Sequence, residues 1–403
     1  MNNIIISVIG LGYVGLPILS LFSSKYNCWG YDIDADRIIQ LKKNIDDRNC
    51  SVRLESINKK QLTSSLIDII GSDIYIVTVP TPINEENRPD ISALVTACKA
   101  ISSQLSKNNI VIFESTVYPG ATEEICIPIL EKGSGLKLNE DFYVAYSPER
   151  INTGDQLHQL KNTPKILGAS NDRCFCSVKD LYDSVLDNPV VKASSIKVAE
   201  AAKMYENVQR DVLIGLANEY SEFCRTIGID IHEVTSCAST KWNFSKVFPG
   251  LVGGHCIGVD TYYLLEKAES LGQDLQIVRT ARETNEDKAS RVFERMISAL
   301  RERNLDPQDT EILILGFSYK KDTSDIRNTK IAPIIKNLET TVKRVDCYDP
   351  KVDSQSVKEM YGIDVLTNPS TINKKYNAVF KLVEHSEFSS FDSVNMIDIS
   401  SLL

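Results

Sequence analysis

The chain has 403 residues, 42% of them hydrophobic and 25% charged, with 45 Lys and Arg against 54 Asp and Glu. That length predicts more than one domain, and the net charge of −9 argues against a general basic field for nucleic acid. There is no apolar run of about 18 residues that would span a membrane. The ten cysteines are scattered without CxxC pairs, and the four histidines lie far apart. This spacing argues against a structural zinc site and for free thiols in a reducing, cytoplasmic setting. The start lacks the basic n-region of a signal peptide and reads as a first strand.

That strand, Ile4-Ile-Ile-Ser-Val-Ile9, runs into Gly10-Leu-Gly12-Tyr-Val-Gly15. An apolar helical pattern through Leu16, Ile18, Leu19 and Phe22 follows, and then a second strand, Cys28-Trp-Gly-Tyr-Asp32. Strand, glycine turn, helix, strand and terminal acid in this order form a dinucleotide-binding pattern. The glycines allow close backbone approach, the helix N-terminus faces the pyrophosphate, and the acid takes the ribose hydroxyls. Asp32 favours NAD over NADP because a carboxylate repels a 2′-phosphate; Arg37 is a second candidate near the adenine ribose.

The alternation continues through strands Asp73–Val79, Asn109–Glu114 and Asp141–Tyr146, with a helix over Ile91–Leu105. In an open parallel sheet ligands bind at the carboxyl ends of strands. Thr81 in Pro80-Thr-Pro82, Thr116 in Ser115–Gly120, and Glu149 and Arg150 in Ser147-Pro-Glu-Arg150 all occupy such ends. Ser and Thr there also serve ordinary turns.

Residues 194–226 predict a long helix with a wide apolar surface, expected to bridge domains and to form a subunit contact. Lys203 and Asn207 share one of its faces. A lysine in apolar surroundings could stabilise an oxyanion.

Next comes Phe248-Pro-Gly-Leu-Val-Gly-Gly-His-Cys-Ile-Gly-Val-Asp260, then a helical pattern over Thr261–Leu271, with Asp260 and Thr261 expected in its first turn or cap. Cys256 would precede a helix N-terminus, where partial positive charge favours a thiolate. Glycines 250, 253, 254 and 258 would let a large ligand approach. Packing alone explains most single cysteines, so this site depends on its neighbours.

After Pro307 the βαβ pattern restarts. Thr310–Leu315 and Val342–Tyr348 read as strands and Asn328–Leu338 as a helix with Pro333 early in it, and Asp349 follows the second strand. The glycine triad is missing, so a different nucleotide-like ligand is expected. Lys320 and Arg327 in the intervening loop suit phosphate or carboxylate. The expected fold is α/β: two Rossmann-like doubly wound domains joined by a long central helix. The expected divisions are residues 1–190, 191–300 and 301–403.

Placed together, these motifs resemble the UDP-glucose/GDP-mannose dehydrogenase family. The resemblance rests on Gly10–Gly15, Val79-Pro-Thr-Pro82, Glu114–Gly120, Ser147–Arg150, Ala202-Lys-Met-Tyr-Glu-Asn207, Gly253–Asp260 and Lys320–Arg327, in family order. It is nearest the bacterial branch acting on UDP-N-acetylglucosamine or UDP-N-acetylgalactosamine for surface polysaccharide.

The resemblance implies NAD as cofactor, with Gly10, Gly12, Tyr13, Val14, Gly15, Asp32, Arg37, Thr81, Thr116 and Arg327 binding it. It implies a UDP-sugar substrate held by Glu149, Arg150, Ile151, Lys203, Asn207, Gly253 and Lys320. It implies a homodimer or higher homo-oligomer, and catalysis by Cys256, Lys203, Asn207, Glu149, Thr116 and Asp260. Cys256 would carry a thiohemiacetal and then a thioester, and Glu149 would activate the hydrolytic water. UDP-N-acetylmannosamine and UDP-glucose are alternative substrates. A two-electron dehydrogenase and a non-catalytic nucleotide-sugar sensor are alternative functions. Two positions depart from the family pattern, where proline is usual: Thr261 after Asp260, and Thr153. Both bear on loop rigidity more than on chemistry.

Overall fold

The computed structural model describes residues 4–46, 52, 54–150, 160–372, 376–390 and 396–397. Ile151 and Thr153 lie outside the described residues. The chain divides into two compact units, one of residues 1–206 with 262–272, the other of residues 207–261 with 273–403.

In the first unit, chain order runs β1 (Ile5–Ile9), α1 (Gly15–Ser23), β2 (Asn27–Tyr31), α2 (Ala35–Lys42), β3 (Leu62–Thr63), β4 (Ile74–Val77), α3 (Ser92–Ser102) and β5 (Ile110–Phe113). It continues with α4 (Ile127–Ser134), β6 (Tyr143–Tyr146), β7 (Lys165–Ala169), α5 (Asp172–Asp183) and β8 (Val190–Lys192). The sheet order is β3-β2-β1-β4-β5-β6-β7-β8. All pairs are parallel except β6 with β7, which is antiparallel.

The strands are largely apolar because both sheet faces are covered. Successive side chains alternate between two cores: Ile74, Ile76, Ile110 and Ile112 enter the layer with α1 and α5. Tyr75, Val77, Val111 and Phe113 enter the layer with α3 and α4. Local signals set the helix ends. The Asp34 carboxylate accepts from the amides of Asp36 and Arg37 at the start of α2, Asn171 accepts from the Cys174 amide before α5, and Gly135 ends α4 at φ +72°.

The next helix, α6 (Ile196–Thr226), starts in the first unit and ends in the second. In the second unit follow α7 (Ile231–Ala238), the first turn of α8 (Ile257–Ser270), whose later turns belong to the first unit, and α9 (Gln276–Glu302). The second sheet is built from β9 (Glu311–Leu315), β10 (Arg344–Tyr348), β11 (Val365–Leu366), β12 (Ala378–Lys381) and β13 (Met396–Ile397). Its order is β11-β10-β9-β12-β13, wholly parallel. Helices α10 (Ile331–Glu339) and α11 (Ser354–Tyr361) complete it. Ile312 and Ile314 face α9 and α10, while Leu313 and Leu315 meet Tyr348, Tyr376 and Phe388 on the other side. The expected class holds: two Rossmann-like parallel sheets and a long central helix. Among the described residues no helix is long and apolar enough to cross a membrane.

The two units repeat one device. In the first, the Gly10 amide bonds the Tyr31 carbonyl at 2.8 Å, and the Leu11 amide bonds Asp32 Oδ2 at 2.7 Å. In the second, the Gly316 amide bonds the Tyr348 carbonyl at 2.9 Å, and the Phe317 amide bonds Asp349 Oδ2 at 2.7 Å. Each terminal acid thus pins the turn after its neighbouring strand. Gly10 at φ +93° and Gly316 at φ +92° supply the left-handed step.

Beneath the carboxyl end of the first sheet lies a buried ion pair. The Lys165 ammonium donates to Glu114, which also accepts from the Tyr182 hydroxyl. The same ammonium lies 3.4 Å from the carbonyls of Ser147 and Pro148. Lys165→Met leaves the Glu114 carboxylate buried without its cation, at a cost of about 3–5 kcal/mol. The expected result is a clearly lowered thermal midpoint of the transition that unfolds the first unit. An unchanged midpoint would remove the pair from the stability of this unit.

Candidate functional site

The glycine turn is built as its spacing predicts. A Cβ on Gly15 would lie 1.8 Å from the Gly10 carbonyl oxygen and 2.4 Å from Thr78 Oγ1, so α1 can start here only with glycine. No side chain caps that N-terminus, which leaves Tyr13 and Val14 in a turn fit for a pyrophosphate. Asp32 is buried at the end of β2, its Oδ1 accepting from the Asp34 amide at 3.0 Å. Arg37 is 1% exposed. Its Nε donates to the Leu11 carbonyl at 3.1 Å and its NH2 to Asp46 at 2.8 Å. Arg37 therefore braces the βαβ unit from within. These residues fit a dinucleotide with a free 2′-hydroxyl.

At the neighbouring strand ends, Thr81 and Thr116 are half-buried and Glu149 is buried. Ser115 Oγ donates to the Val79 carbonyl at 2.7 Å, tying the loops after β4 and β5. Tyr263, on α8, donates to the Pro82 carbonyl at 3.0 Å and fixes the loop that carries Thr81. Arg150 grips Glu206 of α6 through Nε at 3.1 Å and NH2 at 2.6 Å, and donates to the Pro164 carbonyl at 2.8 Å. It anchors the Glu149 loop to α6. Lys203, 5% exposed, sits on the buried side of α6.

A residue that pattern reading passes over holds the Thr116 loop. Glu200, on α6 and wholly buried, accepts from the amides of Gly120 and Thr122. Burial pushes its carboxyl up to about 7, with the two amides and the Thr122 side chain acting the other way. An acid one turn from Lys203 on the alanine-rich face of α6 was the available signal.

In the second unit the cysteine segment is held along its length. Helix α8 starts at Ile257, earlier than its apolar pattern indicates, because the Cys256 carbonyl accepts from the amides of Val259 at 3.1 Å and Asp260 at 2.9 Å. Cys256 is therefore the cap residue itself, half-buried, at the positive end of the helix dipole. Asp260, 2% exposed, accepts from the Asn207 amide nitrogen. The Gly254 amide donates to the Arg327 carbonyl at 3.0 Å, and Asn328 Nδ2 returns a bond to the Gly254 carbonyl at 3.0 Å. Arg327 gives its guanidinium to Asp325, at 2.9 and 2.7 Å. Arg327 thus supports the cysteine loop.

A buried network ties both ends of this segment. Asp211 of α6 accepts from Thr261 Oγ1 at 2.9 Å, from Arg282 NH1 at 2.9 Å and from Asn285 Nδ2 at 2.7 Å. Asn285 in turn accepts from Asn218 at 2.8 Å, and Asn218 makes two bonds to the backbone of Gly250 at 2.9 and 3.0 Å. The absence of proline at 261 therefore does not loosen this stretch. Thr261 lies inside α8, fully buried, and its hydroxyl is a tether that proline could not supply.

Lys320 and Gly253 share a cavity of about 270 Å³ with Lys321 and Lys330, Ser318 and Thr329. A Cβ on Gly253 would lie 2.8 Å from Tyr319 Cβ and 2.9 Å from the Asn328 carbonyl oxygen, so glycine is required there. Lys320 and Lys321 at this cavity suit a diphosphate, while Lys330 donates to Glu286.

Comparisons with known proteins give the family. Three family models match in order: the NAD binding domain of the UDP-glucose/GDP-mannose dehydrogenase family over residues 4–186, its central domain over 197–287, and its UDP binding domain over 313–400. The chain belongs to the UDP-glucose/GDP-mannose dehydrogenase family. It is an NAD-dependent oxidoreductase of nucleotide sugars. It is 42% identical over 398 residues to UDP-N-acetyl-D-glucosamine 6-dehydrogenase of Pseudomonas aeruginosa, covering 98% of this chain and 94% of the relative. It is 40% identical over 400 residues to the protein of the same description from Salmonella typhi, covering 98% and 92%. Among solved structures it resembles a UDP-D-ManNAc dehydrogenase from Pyrococcus horikoshii, with a TM-score of 0.88 at 29% identity, covering 98% and 94%.

Glu200 generates a pH prediction. Its carboxyl stands at about 7 in the folded enzyme against an ordinary 4.5, so between these values the folded state keeps a proton that the unfolded chain releases. Stability of the first unit therefore falls as pH rises through that window, by about 3 kcal/mol in all. Glu200→Gln should flatten this slope in thermal midpoints measured from pH 4.5 to 8; equal slopes in enzyme and variant would refute it.

Proposed function

We propose that this enzyme oxidises the C6 hydroxyl of a UDP-N-acetylhexosamine, UDP-N-acetylglucosamine or UDP-N-acetylgalactosamine, to the carboxylate in two successive two-electron steps. The observation that carries the reading is Cys256 at the N-cap of α8, where the helix dipole favours a thiolate. The relatives named for UDP-N-acetyl-D-glucosamine 6-dehydrogenase, at 40 to 42% identity over nearly the whole chain, support the sugar class. Surface polysaccharide biosynthesis is the expected use of the product.

In this reading residues 1–190 hold NAD, 191–300 carry the cysteine and the subunit contact, and 301–403 hold the UDP moiety. NAD, when bound, supplies the hydride acceptor. The Cys256 sulfur adds to the C6 aldehyde left by the first oxidation, so the aldehyde is retained as a thiohemiacetal, and the second oxidation leaves a thioester. Lys203 and Asn207 stabilise the C6 oxygen as it gains negative charge. Glu149 activates the water that releases the acid, and Thr116 and Asp260 hold it. Lys320, with Arg150, Ile151 and Gly253, positions the UDP-sugar. Gly10, Gly12, Tyr13, Val14, Gly15, Asp32 and Thr81 form the NAD site, Arg37 braces its βαβ unit from within, and Arg327 is a further NAD contact in this proposal.

With limiting UDP-sugar and excess NAD, the enzyme should yield two NADH per sugar, read by nicotinamide absorbance. Cys256→Ser should abolish acid formation, a loss of at least about a hundredfold, as expected for removal of a nucleophile. One NADH per sugar, or acid formation by Cys256→Ser, would overturn the reading. The sugar that supports turnover names the substrate.

A homodimer through α6 is part of the proposal. Leu216, Tyr220 and Phe223 form an exposed apolar stripe at helical spacing on the second-unit part of α6, with exposed Ile227 just past its end. Light scattering should give at least twice the chain mass, and Phe223→Glu should lower it. A monomeric parent enzyme would exclude the dimer.

A further inference from the structure

The residue before the cysteine has no assigned role. His255 Nδ1 lies 3.0 Å from Cys256 Sγ. The opposite ring nitrogen, Nε2, lies 4.0 Å from Asp325 Oδ2. Asp325 is 3% exposed in its side chain and the imidazole 30%. Sulfur, imidazole and carboxylate lie in this order, the thiol within hydrogen-bond reach of Nδ1 and the carboxylate within ion-pair range of Nε2, where it would stabilise a protonated imidazole.

The row is held from both sides. The Gly254–Arg327 and Gly254–Asn328 bonds fix the backbone beside His255. Gly254 itself stands at φ +80°, with the Tyr319 ring 2.9 Å from where a Cβ would be. Across from it, Arg327 grips both Asp325 oxygens. Burial alone would raise the Asp325 carboxyl, but the Arg327 contacts outweigh it and hold the group below the usual carboxylate range. Asp325 is therefore charged at neutral pH and attracts a proton onto the imidazole.

We propose that His255 is a catalytic residue of this enzyme: its Nδ1 takes the proton of the Cys256 thiol, and Asp325 stabilises the resulting imidazolium. This rests on the reading of Cys256 as nucleophile. The S–H bond breaks and an N–H bond forms at Nδ1. The sulfur electron pair forms the C–S bond to C6, the carbonyl electron pair moves onto the C6 oxygen, and that oxygen takes the proton back from the His255 imidazolium, which returns to neutral imidazole. The electron count is unchanged, and no oxidant is needed for this step. The charged groups around the pair work together. Asp325 favours the imidazolium, Arg327 keeps Asp325 ionised, and the start of α8 favours the thiolate. Asp260, in the first turn of α8, has its carboxylate engaged by Asn207.

The test reads the thiol and not turnover. The full-length enzyme is alkylated with iodoacetamide across pH without substrate, and each cysteine is followed by peptide mass spectrometry. Cys176 and Cys237, both exposed, are internal references. Cys256 should inflect at least about one pH unit below them, as expected for a thiol beside an imidazolium. In His255→Asn and His255→Gln the inflection should move up, slowing alkylation at neutral pH by about tenfold. Cys256 titrating together with Cys176 and Cys237 in the parent enzyme would overturn the proposal, and so would an unmoved inflection in a folded variant. The parent profile can overturn the proposal even where a variant does not fold. Failure of the nucleophile reading shows separately, as acid formation by Cys256→Ser.

Discussion

A buried carboxylate that accepts three hydrogen bonds holds the second unit around its cysteine. Asp211 draws together a threonine from α8, an arginine and an asparagine from α9, and its own helix α6. Such a group is costly to bury, and a well-packed apolar cluster could match its stability. What apolar packing would not supply is direction. Each bond to Asp211 has one geometry, so the start of α8 can take only one rotation relative to α6. Cys256 at the cap and Asn207 inherit their placement from this requirement. The bonds through Asn285 and Asn218 to Gly250 extend the same control to the beginning of the cysteine loop. Burial raises the Asp211 carboxyl while Arg282, Thr261 and Asn285 act against that rise.

Legibility in the sequence followed the range of the interactions. The first βαβ unit is readable because its determinants are local: an apolar strand, a glycine that admits a positive φ, and an acid within hydrogen-bond reach of the turn. The repeat of that device around Gly316 and Asp349 is visible for the same reason, even without the glycine triad. Helix α6 is readable from its period. The start of α8 is not, because Ile257-Gly-Val does not look helical and is recruited by the Cys256 carbonyl. Helix α9 and strands β7 and β8 carry no local motif and depend on a finished sheet to pack against.

The residues that position the chemistry were the least legible. Glu200, Asp211 and Lys165 are charged residues whose partners lie 50 to 80 positions away. A charged residue on a helix reads as a solvated face unless its partner is known. Thr261 shows the converse. As a departure from a proline it reads as a loss of rigidity, yet its hydroxyl is a structural bond. His255 was adjacent in sequence to the cysteine, but only the fold puts Asp325 behind it. Arg150, Arg327 and Arg37 read as ligand-binding cations, and each is engaged by a carboxylate of the protein.

The reversal of the last two strands in the first sheet, β7 and β8, has a consequence for how the rim is made. Along the six strands that run the same way, β1 to β6, the rim receives chain that is leaving the sheet. Because β7 runs against β6, with Tyr146 opposite Gly168 and Ala145 opposite Ala169, the rim there receives chain that is entering. The residue delivered is Lys165, the first of its strand, and its ammonium reaches the carbonyls from which the Glu149 loop departs. A parallel strand would have brought Ala169 to that position. The topology thus imports a cation beneath a loop that could not have carried one itself, and it sends the other end of β7, Ala169 and Ser170, to the far edge of the sheet.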